Sequence, residues 1–248
     1  MNLQHPLDPE IYLSVVAPAH NEADNLAQLV EETAAALTPL GREWEMIVVN
    51  DASTDATLPV LRTLMKKYPR LRALSLQRRS GQTAALEAGL RHARGALLAM
   101  LDADLQNDPA DIPRLLAALE TQSCDLVNGW RADRHDPWLR LVSTRIANGV
   151  RNWLTHEQIH DSACGLKVFR RECVARLKLF NGMHRFLPTL VKMEGFRVVE
   201  LPVHHRPRIA GQAKYGVCNR VFKALRDCFA VRWMQRRVLR YECQELES

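Results

Sequence analysis

Apolar runs of strand length alternate with stretches of helical period through about residue 130, and that rhythm leaves few architectures open. Residues 12–17, 46–49, 71–76, 96–101 and 125–128 read as short strands, each followed by a polar or turn-forming residue. Between them, 23–37, 55–67, 81–93 and 110–120 carry helical spacing. In the first of these, Leu26, Leu29, Val30 and Leu37 share a face, with Asn21 or Asp24 as the expected cap. A β-α-β-α order predicts an α/β fold: a mostly parallel, doubly wound, Rossmann-like sheet with helices on both faces.

After Gly129 the rhythm changes. Residues 131–137 are charged and loop-like, 138–153 read as a helix, and 164–169 and 197–203 supply two further strands with helices between. Pro207 and Gly211 mark 206–215 as a loop. Residues 217–229 place Val217, Val221, Phe222, Leu225 and Phe229 on one face, opposite Arg220, Lys223 and Arg226. This basic amphipathic helix can lie on a membrane or pack on the domain. Farther on, Arg232 and Arg236 fall on the apolar side, so no regular helix is expected there.

Open α/β sheets bind ligands at the carboxyl ends of their strands, and here those ends are polar. The first strand runs into Pro18-Ala19-His20-Asn21-Glu22 and the second into Asn50-Asp51. The fourth runs into Asp102-Ala103-Asp104-Leu105-Gln106. In extended chain, the oxygen side chains of Asp102, Asp104 and Gln106 would point to one side. Two carboxylates and an amide oxygen suit a hard cation, Mg²⁺ or Mn²⁺, with positions left for substrate phosphates. Each residue also has a plainer reading. Glu22 and Asp51 could be helix caps, Asp161 a cap of the segment after it, and His20 and His204 structural. Arg131, Arg206, Arg208 and Lys214 could be surface charge.

Bulk properties narrow the class. The 248 residues fit one large domain, alone or with an appendage. No apolar run reaches the roughly 18–20 residues that span a bilayer, and the polar N-terminus has no signal-peptide pattern, so a cytosolic protein is expected. The six cysteines lack C-x-x-C spacing, which argues against a zinc site or a disulfide framework. Of the net charge of +6, much lies in 220–240, where seven basic residues face one acid, Asp227. That excess favours an anionic membrane surface or phosphorylated substrate. Nucleic acid is excluded as a partner, since no recognised binding fold or aromatic stacking pattern accompanies the charge.

Taken together, these motifs resemble family 2 glycosyltransferases of the GT-A fold, most closely the dolichyl- or polyprenyl-phosphate mannose (or glucose) synthase branch. Pro18, Asn21 and Glu22 resemble the P-x-Y-N-E motif, with His20 for Tyr. Asp51 resembles the acid of V-D-D-G-S, with Asn50 and Ala52 as departures. Gly81, Ala85 and Gly89 resemble the G-x-x-A-A-x-x-A-G part of the family's R-N-x-G helix start, with Arg79 and Ser80 just before Gly81. Asp102, Asp104 and Gln106 match D-A-D-L-Q, and Gly129 and Arg131 match G-x-R. Asp161, Gly165 and Arg170 resemble D-x-x-x-G-x-x-x-x-R, and Arg206, Gly211, Lys214 and Tyr215 the R-x-x-G-x-S-K-Y loop, with Gln212 at the place before the Ser.

The resemblance implies a metal-dependent, inverting transferase. It moves a sugar from a nucleoside-diphosphate donor to a polyprenyl phosphate at the cytosolic face of a membrane. Pro18, Glu22, Asp51, Gly81 and Asp102 would bind the nucleotide sugar, with Asp51 on the base. Asp102, Asp104 and Gln106 would hold Mg²⁺ or Mn²⁺. Arg131, Arg206 and Lys214 would meet phosphates, and Asp161 would act near the acceptor. Two alternatives stay open: transfer to a glycan or glycolipid hydroxyl, which requires Asp161 as base, and an inactive nucleotide-sugar-binding or scaffold protein. The implied organisation is a transferase domain over 1–216, nucleotide-binding at about 12–130 and acceptor-binding at about 131–216. Residues 217–248 form the membrane-associated helix and tail. A membrane-protein partner and self-association are left open.

Overall fold

The computed structural model of the chain describes residues 6–132, 149–175, 177, 179–207 and 217–238. Among the described residues there are seven strands: β1 (Leu13–Ala19), β2 (Trp44–Asn50), β3 (Leu71–Ser75), β4 (Leu97–Met100), β5 (Leu126–Trp130), β6 (Lys167–Arg170) and β7 (Val198–Pro202). They form one sheet in the order β3-β2-β1-β4-β6-β5-β7. β1 pairs in parallel with β2 and β4, β2 with β3, and β5 with β7, as the alternating pattern predicts.

β6 alone runs the other way, antiparallel to both β4 and β5. The doubly wound expectation did not place a reversed strand in the middle of the sheet. Its cause is the route of the chain. β5 ends at the carboxyl rim and β6 starts there, with Lys167 paired to Met100 and Asn128 at the ends of β4 and β5. Residues 159–166 therefore enter β6 from the rim, which brings Asp161 and Gly165 to the same edge as the ends of β1, β2 and β4.

The helices are α1 (Ala23–Leu37), α2 (Thr57–Lys67), α3 (Gln82–His92), α4 (Ile112–Thr121), α5 (149–155), α6 (Glu172–Ala175), α7 (Leu187–Met193) and α8 (Val217–Gln235). One core lies under α1, α2 and α4 and holds Leu13, Val15 and Ala17 of β1. The other lies under α3, α7 and α8 and holds Val16, with Ile47 and Val49 of β2. A parallel sheet covered on both faces explains why its strands read as continuous apolar runs instead of alternating ones. α8 is regular through Arg232, against expectation: Val231 and Cys228 supply its buried side, and Arg232 is half-buried beside them.

At the amino-terminal edge of the sheet a buried acid pins β1, β2 and β3 together. Glu45 is 2% exposed and accepts hydrogen bonds from Ser14 Oγ at 2.7 Å, Arg72 Nη1 at 2.6 Å and Arg94 Nη2 at 2.8 Å. Burial alone would raise its pKa, but the bonds from Arg94, Ser14 and Arg72 outweigh that and hold it low. Removing one partner of a buried pair strands the other charge. Glu45→Ala should therefore cost about 3–5 kcal/mol in urea unfolding. Glu43→Ala, which breaks only the exposed pair with Arg70, should cost at most about 1 kcal/mol. Equal midpoints for the two variants would refute this account.

Candidate active site

The carboxyl rim is assembled by side chains that reach backbone groups of neighbouring strands. His20 Nδ1 lies 2.8 Å from the Asp51 carbonyl, and the Asn21 amide donates to Ser53 Oγ at 2.9 Å. Asn21 and Ala52 both adopt left-handed backbone (φ 56° and 48°), so each strand turns sharply as it leaves the sheet. Pro18 is the penultimate residue of β1, and Glu22 directly precedes α1. Glu22 makes no side-chain cap bond. Its carboxylate instead accepts from Asn25 Nδ2 at 2.7 Å.

Asp51, 4% exposed, accepts the backbone N–H groups of Ser80 at 2.6 Å and Gly81 at 2.8 Å. It therefore anchors the start of α3 from across the sheet, a role that neither the base-binding nor the local-cap reading of the sequence contained. Gly81 sits at φ 91°, ψ 163°, a region essentially confined to glycine. Gln82, the first residue of α3, donates to Asp102 Oδ1 at 2.9 Å. The ends of β1, β2 and β4 are thus linked through the start of α3.

Asp102, Asp104 and Gln106 do stand apart from their neighbours, though not by strand alternation. β4 stops at Met100 and the chain turns, with Leu105 left-handed at φ 60°. That conformation costs a branched residue on the order of 1 kcal/mol. What survives is alternating burial: Ala103 (3% exposed) and Leu105 (1%) sink into the core while the three polar residues stay partly open. Gly165 packs on Asp102 so closely that a Cβ there would lie 2.1 Å from Oδ2. Only glycine fits this motif position for that reason.

Beside Asp102 lies a cavity of about 140 Å³, lined among others by Gln82, Cys164, Lys167, His184 and Arg185. Lys167 is 1% exposed and donates to the carbonyls of Ser162 and Cys164. Its pKa is lowered by burial. His184, bonded to Thr83 Oγ1 at 2.7 Å, is pushed down to about 3 by burial and by Arg185 and Lys167, so it is neutral at physiological pH. Sequence reasoning missed Gln82, Lys167 and His184. The first hides in a helix start and the second in a strand, while the third comes from a segment far away in the chain.

The cationic residues fall out differently from the expectation. Arg131 Nε and Nη2 grip both oxygens of Asp161, at 2.6 and 2.9 Å, with Asp161 3% exposed. Arg206 pairs with Glu32 at 2.7 Å and Asp108 at 2.6 Å. Its assignment to the R-x-x-G loop needs correction as well. Counting back three residues from Gly211 gives Arg208, and Arg206 lies outside that spacing. Arg208, Gly211, Lys214 and Tyr215 lie outside the described residues. His204, expected to be structural, lies within 3.0 Å of buried Asp111 through Nδ1, and its amide donates to the same carboxylate at 2.6 Å.

A family model described as glycosyl transferase family 2 matches residues 14–177. The dodecaprenyl-phosphate galacturonate synthase of Rhizobium johnstonii is 41% identical over 228 residues, covering 90% of this chain and 67% of that protein. The undecaprenyl-phosphate 4-deoxy-4-formamido-L-arabinose transferase of Edwardsiella ictaluri is 36% identical over 207 residues, covering 83% and 63%. The chain therefore spans about two thirds of the length of these relatives. Among solved structures, a Pyrobaculum calidifontis mannosyltransferase in complex with GDP-Man and Mn²⁺ superposes with a TM-score of 0.59. It is 23% identical, over 79% of this chain and 56% of that one. Mycobacterium tuberculosis glucosyl-3-phosphoglycerate synthase, in complex with Mn²⁺ and UDP-Glc, gives 0.65 at 20% identity, over 93% and 80%. These two likenesses speak for the fold. With its polar strand ends, its acidic turn after β4 and the family match through β6, the chain belongs to glycosyl transferase family 2.

Proposed function

We propose that the chain transfers a sugar from a nucleoside diphosphate to a polyprenyl phosphate, with inversion, at the inner face of a membrane. One observation carries the choice of acceptor: both oxygens of Asp161 are held by the Arg131 fork. A carboxylate so engaged is a poor proton acceptor, and transfer to a hydroxyl needs one. A phosphate monoester needs none, since its second ionisation lies near pH 6. Both polyprenyl-phosphate relatives are named for such acceptors.

The donor set at the turn after β4 fits a divalent cation. Burial, and then the charge of Asp104, raise the Asp102 pKa to about 6, a cost that a bound cation would relieve. Among the described residues no group of three or more His, Cys, Asp or Glu side chains is arranged to hold a metal ion. Two carboxylates, Asp102 and Asp104, with the Gln106 amide would still leave coordination positions for phosphate oxygens, which suits Mg²⁺ or Mn²⁺. When bound, the cation supplies charge that the departing diphosphate requires. The protein does the rest. Pro18, Glu22 and Asp51 line the nucleoside side, Asp51 and Gly81 fix the loop before α3, and Gln82 orients Asp102. Arg131, with two of its five donors on Asp161, and Lys214 meet phosphate. An acceptor phosphate oxygen attacks the anomeric carbon, and the bond to the diphosphate oxygen breaks with its electron pair leaving on that oxygen.

Among the described residues no helix is long and apolar enough to cross a membrane. Exposed aromatic residues support peripheral contact instead. Trp153 of α5 is 75% exposed, and Phe229 and Trp233, one turn apart on α8, are 61% and 63% exposed. Arg226, Arg236 and Arg237 are exposed alongside them. Of the apolar face expected over 217–229, the side chains of Val217, Val221 and Phe222 lie outside the description, Leu225 is half-buried and Phe229 faces outward. Aromatic rings with flanking arginines are the composition of an interfacial helix.

Three outcomes check this reading. With Mn²⁺ and UDP- or GDP-sugars, a short-chain prenyl phosphate should become a glycosyl phosphodiester, and transfer only to sugar hydroxyls would overturn the acceptor assignment. In EDTA, Asp102→Asn should melt above the wild type at about pH 7.5. A carboxyl whose folded pKa, about 6, exceeds its unfolded 3.8 is increasingly destabilising as pH rises through that window. The advantage should vanish near pH 4, and an advantage independent of pH would refute the assignment. Arg226, Arg236 and Arg237 changed together to Gln should weaken sedimentation with anionic vesicles about a hundredfold, at roughly 1 kcal/mol per arginine. Unchanged sedimentation would remove this surface from consideration.

A further inference from the structure

Arg206 stands at a junction of three elements and touches carboxylates in two of them. Its Nη1 lies 2.7 Å from Glu32 Oε2 on α1, and its Nη2 lies 2.6 Å from Asp108 Oδ2 in the loop after β4. Its own amide donates to the Gln106 carbonyl at 2.8 Å, and the neighbouring His205 forms an antiparallel bridge with Asn107. The bonded groups belong to the run that starts at Asp102 and contains the left-handed Leu105. Segment 203–206 is thus zipped along the acidic turn, and the guanidinium bolts that turn to α1.

We propose that Arg206 is a positioning residue: it fixes the turn that presents Asp104 and Gln106, and it does not contact the diphosphate. Two arguments carry this. A guanidinium that swung to a phosphate would abandon two carboxylates, 26% and 19% exposed, next to an incoming polyanion. Those carboxylates would repel the very group it was meant to bind. The turn, in turn, carries a disfavoured backbone at Leu105, and such a conformation persists only where its surroundings over-determine it. The amide bond to Gln106, the bridge at Asn107 and the pair at Asp108 are those surroundings. The inference rests on the metal reading only for where its consequence is felt, since the restraint itself is a property of the loop.

The test compares Glu32→Gln, Asp108→Asn and Arg206→Gln, singly and with Glu32→Gln combined with Arg206→Gln. Glu32 is the discriminating position, because an acid on α1 has no use as a phosphate ligand. Amide exchange of the peptide covering 103–107 reads the restraint directly, and Mn²⁺ binding, followed by its spin-resonance signal with and without UDP, reads its consequence. Glu32→Gln should speed exchange and weaken Mn²⁺ binding about fivefold to tenfold, and the double variant should do no worse than Arg206→Gln alone. The apparent affinity for UDP without metal should stay unchanged in all of them. Wild-type exchange rates in Glu32→Gln and Asp108→Asn would overturn the proposal. So would an Arg206→Gln variant that lost UDP affinity without metal while Glu32→Gln kept it. Should the wild type bind no Mn²⁺ at all, the metal reading fails while exchange still decides the role of Arg206.

Discussion

β1 is hydrogen-bonded along both edges and covered on both faces, so its end fixes where every polar residue of the rim can stand. Its register against β2 sets Ala19 beside Asn50, and its register against β4 sets Val16 beside Met100. The ends of the three strands are therefore staggered: β1 and β2 finish level, while β4 finishes lower and leaves room above it. The acidic turn fills that room. A slip of one residue would turn each strand's side chains to the opposite face. Burial on both sides makes such a slip prohibitive, and the rim inherits that precision.

Charge at the rim is sorted by what each acid already holds. Asp51 is committed to the backbone before α3, Asp161 to Arg131, Asp111 to His204 and Arg114, and Asp108 to Arg206. Asp102 is the rim carboxyl driven up, by burial and by Asp104. Neighbouring cations, Lys167 and Arg131, offset that only in part. Acids tied to donors hold the scaffold in shape; an acid kept uncomfortable is one that gains from a ligand's positive charge. The amino-terminal edge shows the opposite arrangement, where Glu45 is satisfied by Ser14, Arg72 and Arg94 and held low. Stability is concentrated at one edge of the sheet and binding potential at the other.

Much of this was legible in the sequence, for definable reasons. Strands buried on both faces write continuous apolar runs, so β1 to β5 and the helices between them could be read from periodicity. The acidic turn could be read because its residues are contiguous. What escaped depends on contacts between distant segments. Nothing local in 164–169 tells that β6 runs backwards, since direction follows from where the preceding chain lies. The hold of Asp51 on the start of α3 escaped because the N–H groups it accepts belong to Ser80 and Gly81 and leave no side-chain signature. Arg206 lies two residues before Arg208, to which the motif spacing belongs, and the partners of Arg206, Glu32 and Asp108, are remote from it in sequence.

The outer and inner sides of α8 join two parts of the problem that the sequence kept separate. Outward, Phe229 and Trp233 meet solvent. Inward, Asp227 is 5% exposed and pairs with Arg185 at 3.2 Å, while a Cβ on Gly182 would come within 2.7 Å of its carboxylate. Arg185 lines the cavity beside Asp102, next to His184, whose bond to Thr83 reaches the first turn of α3. Thr83 Oγ1 also accepts the amide of Gly182, so the wall of the cavity is held between α3 and α8. The helix that carries these exposed aromatics is therefore the same helix whose inner face sets the cavity wall. In the proposed reading α8 joins the lipid surface to the wall beside Asp102, which suits a lipid phosphate that cannot leave the bilayer to meet its donor.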